Sequence, residues 1–158
     1  MASLNDLHTT LETTLKAFFN DYTVALREKD VTRISASLTP DCKRLLKPAY
    51  FPVAYPFVKA EESNAEYEAR MKGELSIMES TSAEIHEITI DPIKRKGSAY
   101  VTHINKLRGK DTGNIDICWY FDFSDDGKKI SRIVEFIDTA VSEKMIEDMR
   151  KQGVFPSA

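Results

Sequence analysis

Hydrophobic residues recur at spacings of three and four along the first part of the chain, which is the period of an amphipathic helix. The pattern runs from about residue 4 to residue 28, and Ser3 with Asp6 has the spacing of a capping box at its start. Its apolar positions are Leu4, Leu7, Leu11, Leu15, Phe18, Phe19, Tyr22 and Leu26. The pattern therefore predicts one long helix that packs a single face against a core.

Two shorter helices are predicted next. The first begins after Asp30, an N-capping residue, carries Leu38 and ends near Pro40. The second begins after Ser63, because Glu66 completes another capping box. The apolar stripe of this second helix is Tyr67, Met71, Leu75 and Met78.

Prolines and aromatic residues alternate between these two predicted helices, from Lys47 to Lys59. Proline lacks the N–H group that a helix interior or a central strand needs. Aromatic residues are rare in disordered segments. We therefore expect an ordered aromatic loop, whose members Tyr50, Tyr55 and Phe57 could form a lid on a cavity.

From Ser82 onward the hydrophobic period changes to two, which is typical of half-buried strands. The predicted strands are Ile85 to Ile93, Ala99 to Leu107, Ile115 to Phe123 and Ile130 to Ile137. Turns are predicted at Lys96-Gly97, at 109–113 and at Asp126-Gly127, and a short closing helix from Ser142 to Gly153. Three helices before an antiparallel meander predict an α+β fold, one domain over 1–158, with a cavity between the curled sheet and the helices.

Composition narrows the function classes. The net charge is −3, so the chain lacks the basic surface of a nucleic-acid-binding protein. No apolar stretch approaches the length of a membrane span, and no phosphate-binding or metal-binding motif is present. The sequence therefore predicts a cytoplasmic protein that binds no membrane, metal or cofactor.

Two segments carry a resemblance to a known family. TPDCKRLLKP (39–48) and GKKISRIVEFID (127–138) resemble the small SnoaL-like proteins of fungal biosynthetic clusters, in the nuclear transport factor 2-like superfamily. The resemblance implies a conical α+β barrel, a homodimer, and a cofactor-free isomerase or cyclase acting on a hydrophobic polyketide, terpenoid or alkaloid intermediate. A dehydratase is less favoured, and a non-catalytic ligand- or protein-binding module of the same fold is the alternative.

Glu135 is the first candidate catalytic residue, because it interrupts the apolar run Ile133-Val134-Glu135-Phe136-Ile137. If its side chain points inward, desolvation would raise the pKa of the carboxyl group, which suits a general acid or base. If it points outward, it is a surface residue paired with Lys106 or Arg132.

Arg44 and His103 are further catalytic candidates. The resemblance implies that the Arg44 segment lines the cavity mouth, where a guanidinium could pair with Glu135 or polarise a substrate carbonyl; otherwise Arg44 is a surface residue. His103 alternates with apolar residues and is either a proton-transfer residue or a hydrogen-bonded core residue, and His86 is a weaker candidate on the same logic. Trp119, Phe121 and Asn105 complete the predicted substrate-binding residues. On the opposite strand face, Tyr120, Cys118 and Tyr100 predict the dimer contact.

Overall fold

A computed structural model describes residues 3–156 and has four α-helices packed on a six-stranded mixed sheet. The helices are α1 (Leu4–Glu28), α2 (Phe51–Ala54), α3 (Asn64–Ile77) and α4 (Thr139–Lys151). The strands are β1 (Leu38–Lys47), β2 (Glu61–Glu62), β3 (Met78–Asp91), β4 (Lys96–Leu107), β5 (Thr112–Phe123) and β6 (Ile130–Ile137). The α+β prediction is confirmed; residues 1–2 and 157–158 of the predicted domain lie outside the described residues.

The sheet has the order β2-β1-β6-β5-β4-β3. Strands β3 to β6 form the predicted antiparallel meander, and β1 extends the sheet as a parallel neighbour of β6. Short turns force neighbouring strands of a meander to alternate in direction, whereas β1 reaches β6 through a long connection that leaves its direction free. Irregular register within β3 and at the end of β5 is of the kind that bends a sheet.

Both predicted capping boxes are present. At the start of α1, Asp6 N donates to Ser3 Oγ at 3.1 Å and Ser3 N donates to Asp6 Oδ2 at 3.0 Å. Ser63 and Glu66 make the same reciprocal pair at the start of α3. These bonds satisfy N–H groups that a helix start otherwise leaves without partners.

Several boundaries differ from the sequence predictions. The helix predicted after Asp30 is a single 3₁₀ turn (Val31–Ser35), and Leu38 already pairs with Ile130 in the sheet. The proline-rich segment contains the one-turn helix α2, because Pro52 lies in its first turn, where a missing N–H group costs nothing.

Two further boundaries moved by a few residues. Lys96 and Gly97 belong to β4, and the turn before them lies at 92–95, with Arg95 in a left-handed conformation (φ 51°). Helix α4 begins after Asp138 instead of Ser142, because the Asp138 carboxylate accepts the Val141 N–H at 3.2 Å. Of the helices described here, none is long and apolar enough to cross a membrane.

The main core lies between α1 and the inner face of the sheet. The aromatic residues of α1 pack against inward residues of β5 and β6, which include Trp119, Phe121, Phe123, Ile130 and Ile133. The other end of the sheet is covered by α3, α4 and the segment around α2. A cavity remains at this second end.

Candidate active site

The cavity has a volume of about 150 Å³ and lies between the sheet, α3, α4 and the α2 segment. Most of its wall is apolar, but charged and polar side chains reach it from several elements. The polar lining residues are Tyr22, Tyr67, Arg70, Glu74, Thr81, His103, Asn105, Trp119, Glu135 and Ser142. An apolar pocket with a few converging polar groups is the usual form of a small-molecule site.

Glu135 points inward from β6 and lies on the cavity wall, with only 6% of its surface exposed. Arg44 Nη1 donates a hydrogen bond to Glu135 Oε1 in a buried ion pair. The surface partners considered for Glu135 are engaged elsewhere, since Lys106 bonds to Glu79 and Arg132 lies 3.7 Å from Asp122. The structure thus places Glu135 at the cavity, with a cation beside it instead of an apolar surround alone.

Arg44 holds Glu135 from behind the cavity wall. Strands β1 and β6 are parallel neighbours, with Arg44 opposite Ile133 in register, and this juxtaposition brings the two charged side chains together. The Arg44 guanidinium also lies 3.6 Å from the centre of the Tyr67 ring, a cation–π contact. Arg44 is buried and is not among the cavity-lining residues, so its guanidinium contacts Glu135 but does not line the cavity.

His103 lies on β4 and faces the cavity, whereas His86 lies on the other strand face and bonds to Thr102 Oγ1 at 2.7 Å. Burial, and to a smaller extent the nearby Arg44 charge, together lower the pKa of His103 to about 4. His103 is therefore neutral at pH 7. Within residues 3–156 its Nε2 atom has no hydrogen-bond partner.

Trp119 and Asn105, which the sequence also predicted as substrate-binding residues, both line the cavity. Trp119 pairs in register with Glu135, is 2% exposed, and its Nε1–H finds no acceptor among the described residues. Asn105 follows His103 on the same strand face and accepts a hydrogen bond from Thr81 Oγ1 at 2.7 Å. Buried donors usually have partners, so free ones on a cavity wall indicate where a ligand could bond.

Four predicted substrate-binding residues do not line the cavity. Phe121 lies one alternation step beyond Trp119, inside the core, where Phe18 packs against it at 5.4 Å between ring centres. Tyr50 is 51% exposed. Tyr55 and Phe57 pack outside the cavity, because Phe51 and Val58 occupy the inner face of the same segment.

Sequence reasoning missed a charged cluster that α3 brings to the cavity. Arg70 makes a two-pronged bond to Glu62, with Nε–Oε1 at 3.0 Å and Nη2–Oε2 at 2.9 Å, and Arg70 Nη1 bonds to Glu74 Oε1 at 2.8 Å. Arg70 and Glu74 line the cavity. Arg70 and Glu74 lie three and seven residues after Tyr67, so both fall on the predicted apolar stripe of the helix. Charged residues on an apolar stripe are the feature of the sequence that could have indicated this cluster.

Tyr22 and Tyr67 were assigned to core stripes by their spacing, and both also reach the cavity. Their hydroxyl oxygens are 2.9 Å apart, so one donates to the other. Burial raises the pKa of each phenol, which keeps both protonated near neutral pH.

A metal site finds no support in the described part of the chain, where no group of three or more His, Cys, Asp or Glu residues could hold an ion. The polar groups of the cavity wall instead include two carboxyl groups, the Arg70 guanidinium, two phenols and a neutral imidazole. Such a set can move protons and orient an oxygen-bearing ligand.

The similarity of this chain to known proteins lies in its fold and not in its sequence. No family model matches the sequence, and no curated protein matches it. Among solved structures, PrhC from Penicillium brasilianum NBRC 6234 is 13% identical, with a TM-score of 0.79 over 94% of this chain and 93% of that one. The BvnE pinacolase from Penicillium brevicompactum is 14% identical, with a TM-score of 0.77 over 92% of this chain and 94% of that one.

A third solved structure with a similar fold comes from a SnoaL-like protein. A SnoaL-like protein from Jannaschia sp. CCS1 is 9% identical, with a TM-score of 0.64 over 87% of this chain and 92% of that chain. At such identities the likeness establishes the fold alone. The chain has the α+β cone fold of SnoaL-like proteins, as the resemblance implied.

Proposed function

We propose that this protein is a cofactor-independent isomerase or cyclase that acts on a small, largely apolar, oxygen-bearing molecule by proton transfer. The observation that carries the proposal is the Glu135 carboxylate on a largely apolar cavity wall, held by Arg44, with the unpartnered ring nitrogens His103 Nε2 and Trp119 Nε1 on residues that line the same cavity. The BvnE pinacolase shares the fold, which supports a catalytic use of the cavity. A polyketide, terpenoid or alkaloid intermediate remains the proposed substrate class.

Glu135 is assigned the role of proton carrier. Its carboxylate takes a proton from a carbon next to a carbonyl, and the electron pair of that C–H bond moves into the conjugated system. Glu135 then returns the proton to a different carbon, so the product is an isomer and no co-reactant is consumed. Trp119 Nε1–H and the Nε2 atom of neutral His103 are assigned the role of bonding the substrate oxygen, because neither atom has another partner in residues 3–156.

The proposal is tested with 5-nitrobenzisoxazole, which opens to a coloured phenolate when a base removes its ring proton and the N–O bond breaks. We expect wild-type protein to accelerate this reaction saturably, and Glu135→Gln to lower the rate by on the order of 100-fold, the usual scale for a lost base. Gln keeps the shape and the bond from Arg44 but cannot accept the proton.

Glu84→Gln is the matched control for this measurement. Glu84 lies on β3 and its side chain is 64% exposed, so its replacement is expected to leave the rate within about twofold. Equal rates for wild type and Glu135→Gln would overturn the catalytic proposal and favour the binding-module alternative. We propose that the reaction needs no metal ion. Exhaustive chelation is therefore expected to leave the wild-type rate unchanged.

We also propose that two copies associate through the outer face of the sheet. Tyr120 and Phe136 are 52% and 50% exposed there, next to Tyr100 and Cys118, a larger apolar surface than a solvated sheet face needs. Light scattering at micromolar concentration is expected to give a dimer mass for wild type and a monomer mass for Tyr120→Lys combined with Phe136→Lys. A wild-type monomer would refute this assembly.

A further inference from the structure

The cluster of Glu62, Arg70 and Glu74 has no role in the mechanism above, although Arg70 and Glu74 lie on the same cavity as Glu135. Glu62 is enclosed and takes both prongs of the Arg70 guanidinium. Glu74 receives only one bond from Arg70 and faces the cavity, with 13% of its side chain exposed. Both carboxylate oxygens of Glu62 therefore accept a hydrogen bond from Arg70, whereas only one oxygen of Glu74 does.

The buried charges around the cavity do not balance. Three carboxylates, on Glu62, Glu74 and Glu135, share two guanidinium groups, on Arg44 and Arg70. Arg44 pairs with Glu135, whereas Arg70 is shared between Glu62 and Glu74. Within residues 3–156, Glu74 therefore has no cation that it does not share. A buried carboxylate that lacks a full partner is costly as an ion and is stabilised by taking up a proton.

The surroundings of Glu74 act in the same direction. Burial raises the pKa of its carboxyl group, and the charges of Glu62 and Glu135 raise it further, whereas Arg70 lowers it. Tyr67, two helical turns away on α3, is a neutral phenol, and His103 on the same cavity is a neutral imidazole. Two buried ring nitrogens on the same cavity, His103 Nε2 and Trp119 Nε1, lack partners within the described chain, which independently indicates a place for a polar ligand atom.

We propose that Glu74 holds a proton at neutral pH and is the general acid that donates it to the substrate while Glu135 accepts another. This inference rests on the proposed function and adds a second catalytic residue to it. Two carboxyl groups in different environments, one protonated and one ionised, are a common basis for acid–base catalysis at neutral pH.

The proton balance of the step is closed. The Glu74 O–H bond breaks and its proton goes to a carbonyl oxygen of the substrate, while a C–H proton next to that carbonyl goes to Glu135, which yields an enol. Glu135 then protonates another carbon of the conjugated system, and the enol O–H proton returns to Glu74. Both carboxyl groups are restored, and the total charge of the cavity is constant throughout.

Infrared titration tests whether Glu74 carries the proton. At pH 7 we expect wild-type protein to show the C=O stretching band of a protonated carboxyl group, and Glu74→Gln to lose that band. The exposed-site control Glu84→Gln should retain it. Glu135→Gln removes a nearby negative charge and should shift the titration of the band to lower pH. Absence of the band from wild-type protein at pH 7, or its persistence in Glu74→Gln, would overturn the proposal.

A pair of chemical probes separates the acid from the base. The 5-nitrobenzisoxazole reaction has no carbonyl oxygen to protonate, so Glu74→Gln is expected to slow it less than it slows a reaction that needs a proton donor. Deuterium exchange next to the carbonyl of cyclohexanone, followed by NMR, needs a proton donor as well, so Glu74→Gln should slow it by about tenfold or more. Circular dichroism checks that the variant is folded.

The outcomes distinguish this inference from the proposed function. Loss of both probe reactions in Glu135→Gln, together with a larger loss of the exchange than of the ring opening in Glu74→Gln, supports both assignments. Equal losses of the two reactions in Glu74→Gln would overturn the acid. Unchanged exchange in Glu74→Gln, or wild-type protein that opens the benzisoxazole but exchanges no cyclohexanone, overturns the acid and leaves the base standing. Inactivity of wild-type protein with both probes counts against both.

Discussion

The two halves of the inner sheet face differ in chemistry, although the same strands build both. Along β4, β5 and β6, a step of two residues leads from Val101 to His103, from Phe121 to Trp119 and from Ile133 to Glu135. The first member of each pair is enclosed in the main core, and the second reaches the cavity. Successive inward-facing positions of one strand can therefore contribute to the packed core and to the cavity wall.

The closed half is filled by α1, whose Phe18 ring meets both Trp119 and Phe121 edge-to-face at 5.4 Å between centres. The open half keeps free space and ring nitrogens without partners within residues 3–156. The closed half is expected to stabilise the fold, and the open half to give up stability for function.

Truncation of the closed half should have the largest effect. We expect Phe121→Ala to reduce the free energy of unfolding by about 3–5 kcal/mol, because a fully enclosed ring leaves a cavity that its neighbours fill only in part. Urea denaturation measures the change. Val53→Ala, on α2 and 78% exposed outside the proposed dimer contact, is the control and should change stability by about 0.5 kcal/mol or less. A loss below about 1 kcal/mol for Phe121→Ala would contradict the division into two halves.

The buried ion pair offers a sharper test of the open half. Arg44→Ala leaves the Glu135 carboxylate without its cation, which is expected to cost about 3–5 kcal/mol. Replacing both partners, Arg44→Met with Glu135→Leu, should recover most of that loss or exceed wild-type stability, because no charge then remains buried at this position. Denaturation curves of the single and double variants measure this, and proton-transfer activity should stay absent in both. A double variant as unstable as the single one would show that the pair is retained for stability.

The smallest expected effect is the dependence of stability on pH that arises from protonation of His103. Its pKa of about 4 in the folded protein lies below the ordinary value of 6.5, so the unfolded chain binds the proton more tightly. The stability that neutral His103 contributes is present above about pH 6.5 and is lost as the pH falls towards 4, by about 3 kcal/mol in total. His103→Gln should lose less stability than wild type between pH 7 and pH 4. Parallel curves for the two proteins would mean that His103 does not titrate in this range.

Local patterns in the sequence predicted most of the fold. The capping pairs Ser3–Asp6 and Ser63–Glu66 located the starts of α1 and α3, because a helix start needs acceptors a fixed distance along the chain. Strand periodicity placed the meander and identified Glu135 and His103 as residues out of keeping with their neighbours. The boundaries that failed, at Leu38 and at Lys96-Gly97, were decided by pairing with strands distant in sequence or across a turn.

The sequence by itself determined the helices, the meander and the presence of charged residues among apolar ones, since those features depend on spacing along one chain. Only the tertiary structure decided that β1 lies parallel to β6, so that Arg44 meets Glu135 over 91 residues of sequence. The same holds for the charge imbalance that singles out Glu74. Electrostatic pairing depends on distance in space and on exclusion of water, and neither quantity is encoded in local periodicity.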